Sequence, residues 1–147
     1  MFSTNHLTNS QLDEYKEQGF VIVKGLLDSG AVPKLRDNVL TVLSARNMDD
    51  SFLAQTSEYL ADSPIDDFVN HLDLRAVASS VLGGQAHMYL PFTAVKGPQQ
   101  GAFKFHQDNQ YTQLDGPACN CWFALSRTSV ANGCLRIVAK SHLSDTL

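Results

Sequence analysis

Apolar residues recur at helical spacing through the first half of the chain and change to a period of two in the second. Thr8 and Gln11 form a capping box at the head of a helix-permissive run, and Gly19 stands where a left-handed cap belongs, which predicts a helix over Asn9–Gln18. Phe20, Val21, Ile22 and Val23, ended by Gly25, read as a short buried strand. Asp28 or Ser29 then caps a second helix with Pro33 in its first turn. Its Val32, Leu35, Val39, Val42 and Leu43 stripe should lie against a sheet. The pattern lapses into a polar, acidic stretch from Asn47 to Asp62. Ser63 and Asp66, with Pro64 at the first helical position, start a third helix that runs to about His71. Asp73 caps a fourth, Leu74–Leu82, closed by Gly83 and Gly84.

Beyond residue 84 the alternation predicts strands at Ala86–Val95, Phe103–Phe105, Cys119–Ser126 and Cys134–Val138. Turn signals at Gly97-Pro98, Gly116-Pro117 and Asn132-Gly133 separate them. Helices first and strands later make an α+β domain. Its 147 residues, 44% of them hydrophobic, are enough for one core, so a single domain is expected, helical over 1–84 and β-rich over 85–147.

Net charge is -4, and the eleven Lys and Arg are scattered singly, with no basic stripe to follow a phosphate backbone. Nucleic acid is therefore not expected as a partner. The opening residues Met1 to Asn9 lack the pattern of a leader, and no apolar run approaches the roughly 20 residues that span a bilayer. A soluble, cytoplasmic protein without a membrane partner is the expectation. Three cysteines, Cys119, Cys121 and Cys134, match no trusted zinc spacing and read as reduced thiols.

Candidate chemistry centres on His106-Gln107-Asp108, which follows the aromatic segment Phe103-Lys104-Phe105. On a strand, residues two apart share a face, so the imidazole and the carboxylate can reach one metal ion. That pair suits Fe(II), and one further His would complete a facial triad with positions open for an oxoacid and oxygen. Spacing alone decides little, because five His and twelve Asp make about 0.4 chance His-x-Asp matches. A second match, His71-Leu72-Asp73, falls at a helix boundary where Asp73 has a sufficient role as an N-cap.

Context distinguishes the two. The run Phe105 to Tyr111, then Trp122-Phe123-Ala124-Leu125, then Asn132 to Val138, then Ser141-His142, resembles the phytanoyl-CoA dioxygenase family in order and spacing. The opening Leu7-Thr8 and the segment Gln18 to Leu27 resemble that family's first helix and strand. The resemblance implies a double-stranded β-helix (jelly-roll, cupin-like) core that binds Fe(II), uses 2-oxoglutarate and molecular oxygen, and hydroxylates a small-molecule substrate. It also implies that His106 and Asp108 are iron ligands and that Trp122 packs near the cosubstrate. Thr93 and Tyr89, placed on one face of the preceding strand, are candidate donors to the oxoacid.

The sequence also departs from the family. Ala139-Lys140-Ser141-His142 stands where the family has Pro-Gly-Ser-His, and Leu125-Ser126 where it commonly has Leu-Asp. The family's second iron His and oxoacid-binding Arg lie further downstream than this chain extends, so a fragment is expected, with an incomplete jelly-roll core. His142 falls on the family's Ser-His turn, not at a ligand position. Lys96 at a strand end and Arg136 facing away from the core are poor substitutes for the Arg. The expected activity is an Fe(II)/2-oxoglutarate-dependent dioxygenase. The alternative is a non-catalytic truncated paralogue acting as a binding or dimerisation module, and open sheet edges would favour self-association. A zinc or manganese hydrolase or isomerase would need further His or Glu ligands, and Glu14, Glu17 and Glu58 are badly placed to supply them.

Overall fold

The computed structural model describes residues 1–45, 52–55, 62–95 and 103–144. The first helix, α1 (Asn9–Gln18), has the bounds its sequence predicts. The Thr8 hydroxyl accepts from the Gln11 N–H at 3.3 Å, while the Gln11 side chain accepts from the Thr8 N–H at 2.9 Å, and Gly19 closes the helix at φ 83°. Helix α2 (Ala31–Ala45) buries Leu35, Val39 and Leu43. Its expected Asp28 cap is not used that way. The Asp28 carboxylate instead accepts from the Met1 ammonium at 2.8 Å and the Ser3 hydroxyl at 2.9 Å, bonds that hold it below the usual carboxylate range.

Helix α3 (Pro64–Val69) starts at the predicted Ser63 cap, which accepts from the Asp66 N–H. In α4 (Leu72–Leu82) the cap is His71 and not Asp73, because the imidazole Nδ1 accepts the Asp73 N–H at 3.2 Å. Asp73 moves into the first turn, where its charge favours the helix dipole.

The α2 stripe packs on a helix, with Leu35, Val39 and Leu43 meeting Ile65 and Phe68 of α3. A second cluster joins Leu7, Leu26 and Val77 of α4. Phe2 and Phe123 touch both clusters. Phe2 stacks on Phe68 at 5.5 Å, and Phe123 meets the same ring edge-on at 4.9 Å.

The strand expectations need correction. Among the described residues the sheet is two antiparallel strands, β1 (Phe52–Gln55) and β2 (Phe92–Val95), with Phe52 opposite Val95 and Gln55 opposite Phe92. β1 lies in the stretch whose pattern had lapsed. Phe20–Val23 forms no strand, and Ile22 is 70% exposed. Phe103–Phe105, Cys119–Ser126 and Cys134–Val138 are irregular, and from 85 to 144 only β2 is a strand. Alternation selects a face but cannot supply a neighbour, and a strand needs a partner to accept and donate its backbone hydrogen bonds. None of residues 103–144 is fully buried. The four expected helices of the first half are present, while the jelly-roll is not seen among these residues. The Gly97-Pro98 turn and Lys96 lie outside them.

Candidate metal centre

His106 ends an irregular segment, and Asp108 has φ -57° and ψ -33° at the head of the short helix α5 (Asn109–Thr112). The two side chains therefore converge through an extended-to-helical bend and not through strand parity. His106 Nε2 lies 3.2 Å from Asp108 Oδ1. The other ring nitrogen, Nδ1, is 2.8 Å from the Lys104 carbonyl oxygen, which can only accept. Nδ1 therefore carries a proton, and Nε2 is the atom turned to the carboxylate. Nε2 and Oδ1 thus face each other as two acceptor atoms that one metal ion could share.

The geometry fits a metal. Two ligands with bonds of about 2.1 Å at roughly a right angle are about 3 Å apart. Asp108 makes no side-chain cap on α5, and its second oxygen, Oδ2, accepts from Asn120 Nδ2 at 2.8 Å. Tyr111 meets the His106 ring edge-on at 5.5 Å. Gln107, between the pair, points away and donates to the carbonyls of Ser141 and Ser144 at 3.2 and 3.4 Å. Among the described residues no group of three His, Cys, Asp or Glu side chains surrounds one point.

Tyr89 and Trp122 are exposed, and neither hydrogen-bonds to His106 or Asp108. Tyr89 precedes β2, so the shared strand face expected for Tyr89 and Thr93 does not exist. Thr93 is half-buried within β2, opposite Ala54. Arg136 is exposed and lies over the Phe105 ring at 5.3 Å, but Leu135 and Ile137 beside it are exposed as well, so no alternation separates them. His71, the competing match, meets the Phe2 ring at a tilt, 4.8 Å between centroids, and serves as a cap.

His142 secures the end of α1. Its Nε2 donates to the Lys16 carbonyl at 3.0 Å, its ring fills the space a Cβ at Gly19 would need, and the Lys140 N–H reaches the Gln18 carbonyl at 2.8 Å. Thus a histidine 126 positions away supplies a donor to the orphan carbonyls of the helix end.

Residues 15–146 match the model of the phytanoyl-CoA dioxygenase (PhyH) family. The chain belongs to the phytanoyl-CoA dioxygenase family. No curated protein and no solved structure matches it. The match includes both His106 and Asp108, and it identifies an oxygenase-type family for the whole described C-terminal half.

Sequence reasoning missed two residues beside the pair, Asn120 and the Lys104 carbonyl. Asn120 is twelve positions from its partner, and a backbone oxygen leaves no side-chain signature. A cysteine pair flanks Asn120. The Cys121 thiol donates to Cys119 and holds it down to about 7, while the same bond pushes Cys121 up. No helix among the described residues is long and apolar enough to cross a membrane.

Proposed function

We propose that this chain carries two iron ligands, His106 and Asp108, of an Fe(II)- and 2-oxoglutarate-dependent oxygenase that hydroxylates a small molecule. The observation behind the reading is the 3.2 Å approach of His106 Nε2 to Asp108 Oδ1, with the opposite ring nitrogen committed to a carbonyl. Family membership supports the same chemistry. When bound, iron would couple oxygen and 2-oxoglutarate to oxidation of the substrate.

The chain's own contribution is to hold donor atoms. The Lys104 carbonyl selects the tautomer that frees Nε2, and Asn120 occupies the oxygen of Asp108 that does not face the imidazole. Trp122 is proposed on the cosubstrate side by family resemblance, and molecular oxygen is the second small partner. The whole of 1–147 is proposed as one domain.

Titration with Mn(II), a redox-silent stand-in for Fe(II), tests the site. One ion per chain is expected, with binding lost in both His106→Ala and Asp108→Ala. Fe(II)-dependent succinate formation from 2-oxoglutarate then tests the reaction, and metal binding unchanged by either substitution refutes the assignment.

The exposed apolar side chains Phe103, Phe105, Trp122, Leu135 and Ile137 favour a second reading, a non-catalytic binding or dimerisation module. Succinate formation by a chain that also carries a second iron His and an oxoacid-binding Arg separates the two readings, since the module would make none.

A further inference from the structure

We propose that Asn120 is a positioning residue for the metal, one that divides the two oxygens of Asp108 between separate tasks. The inference rests on the reading of His106 and Asp108 as metal ligands. Asn120 Nδ2 lies 2.8 Å from Asp108 Oδ2, and His106 Nε2 lies 3.2 Å from Asp108 Oδ1. An ionised carboxylate accepts only, so the amide must present its nitrogen and not its oxygen. With Oδ2 engaged by a donor, Oδ1 is the oxygen left to face a cation, which favours a carboxylate bound through one atom.

Nothing else among the described side chains performs this task. Asp108 stands at the head of α5, yet its side chain makes no capping hydrogen bond to the helix backbone. Its carboxylate is more than half exposed, so free rotation about the side chain would otherwise be cheap. The neighbouring Asn109 is committed elsewhere, its Oδ1 accepting from the Leu114 N–H at 2.7 Å. Asn120 reaches back from the segment that continues to Trp122, so the ligand is tied to a second part of the chain. Hydrogen-bonded partners of this kind keep a metal-binding carboxylate in one orientation, and their removal typically weakens metal binding about 10- to 100-fold.

Mn(II) titration of the whole chain, followed by loss of the free-ion electron-resonance signal, provides the test. Asn120→Leu keeps the branched shape without a donor, and Asn120→Ala removes the side chain. Because Asn120 is exposed, both variants should melt like the parent. The expected result is an Mn(II) affinity about tenfold lower or worse in each. A changed Co(II) visible spectrum should accompany it, because that band reports the ligand set and not fold stability.

Asp108→Ala is the reference. If it abolishes binding while both Asn120 variants bind Mn(II) and Co(II) as the parent does, the positioning role is overturned and the metal site stands. If Asp108→Ala binds like the parent, the metal reading itself fails and the inference falls with it. Should one Asn120 variant not fold, the other decides.

Discussion

Gly19 shows how a single backbone angle links two ends of the sequence. At φ 83° a side chain is strained in any surroundings, and here the His142 ring also fills the space that a Cβ would take. Gly19→Ala should therefore cost about 1–3 kcal/mol, read from urea denaturation. In a His142→Ala background the cost should fall toward the conformational part alone, a coupling that a double-mutant cycle measures. The thiols give a second test at this scale. Cys119 is held down to about 7 because the Cys121 thiol donates to its sulfur. Alkylation of Cys119 should thus rise through neutral pH, ahead of Cys121, and peptide mapping after iodoacetamide would show it. Cys121→Ala removes the donor, so the Cys119 profile should move to higher pH, towards that of an ordinary cysteine.

The helices divide into those whose ends could be read and those whose ends had competitors. Thr8 and Ser63 are favoured caps with compatible residues three positions on, and both helices begin where those signals stand. Thr8→Ala should cost about 1 kcal/mol in thermal melting, with helix loss confined to α1. At α4 two residues could cap, and Asp73 was the better candidate by type. His71 takes the position because its ring also rests on Phe2, a contact between residues far apart in sequence. His71→Ala should then cost about 1–2 kcal/mol, from cap and ring contact together, whereas Asp73→Ala should cost less. Leu35 is almost fully buried in the α2–α3 cluster, so Leu35→Ala should cost about 2–5 kcal/mol.

Across the whole molecule, the two apolar clusters meet through Phe2 and Phe123. Phe2 precedes α1, while Phe123 belongs to the segment that carries Trp122 and leads back to Asn120. Phe123→Ala should cost about 2 kcal/mol and should loosen the C-terminal segment more than the helices. Hydrogen exchange is the direct measurement, with protection expected to fall over 103–144 before α2 and α3 change. Uniform loss of protection would show instead that the molecule opens as one unit. The exposed Phe103, Phe105, Leu135 and Ile137 should also bind an apolar dye in the folded parent, because that surface is uncovered before any unfolding.

The limits of α1, the starts of α2 and α3 within a residue or two, the residues of the buried stripe and the closeness of His106 to Asp108 could be read from the amino-acid order. Each depends on residues a few positions apart, where helical geometry or short spacing dictates proximity. Strand pairing was less accessible. β2 was expected as part of a longer strand, but its partner, Phe52–Gln55, lies in a stretch with no apolar alternation, and three alternating segments found no ladder. A backbone ladder joins any two segments that the fold brings side by side, and local sequence does not specify that neighbour. The same reason hid Asn120, the Lys104 carbonyl and the placing of His142 at the end of α1. Local order determined which groups were present and which short-range turns they made. Only tertiary structure decided which oxygen of Asp108 faced His106, because that depended on a residue twelve positions away.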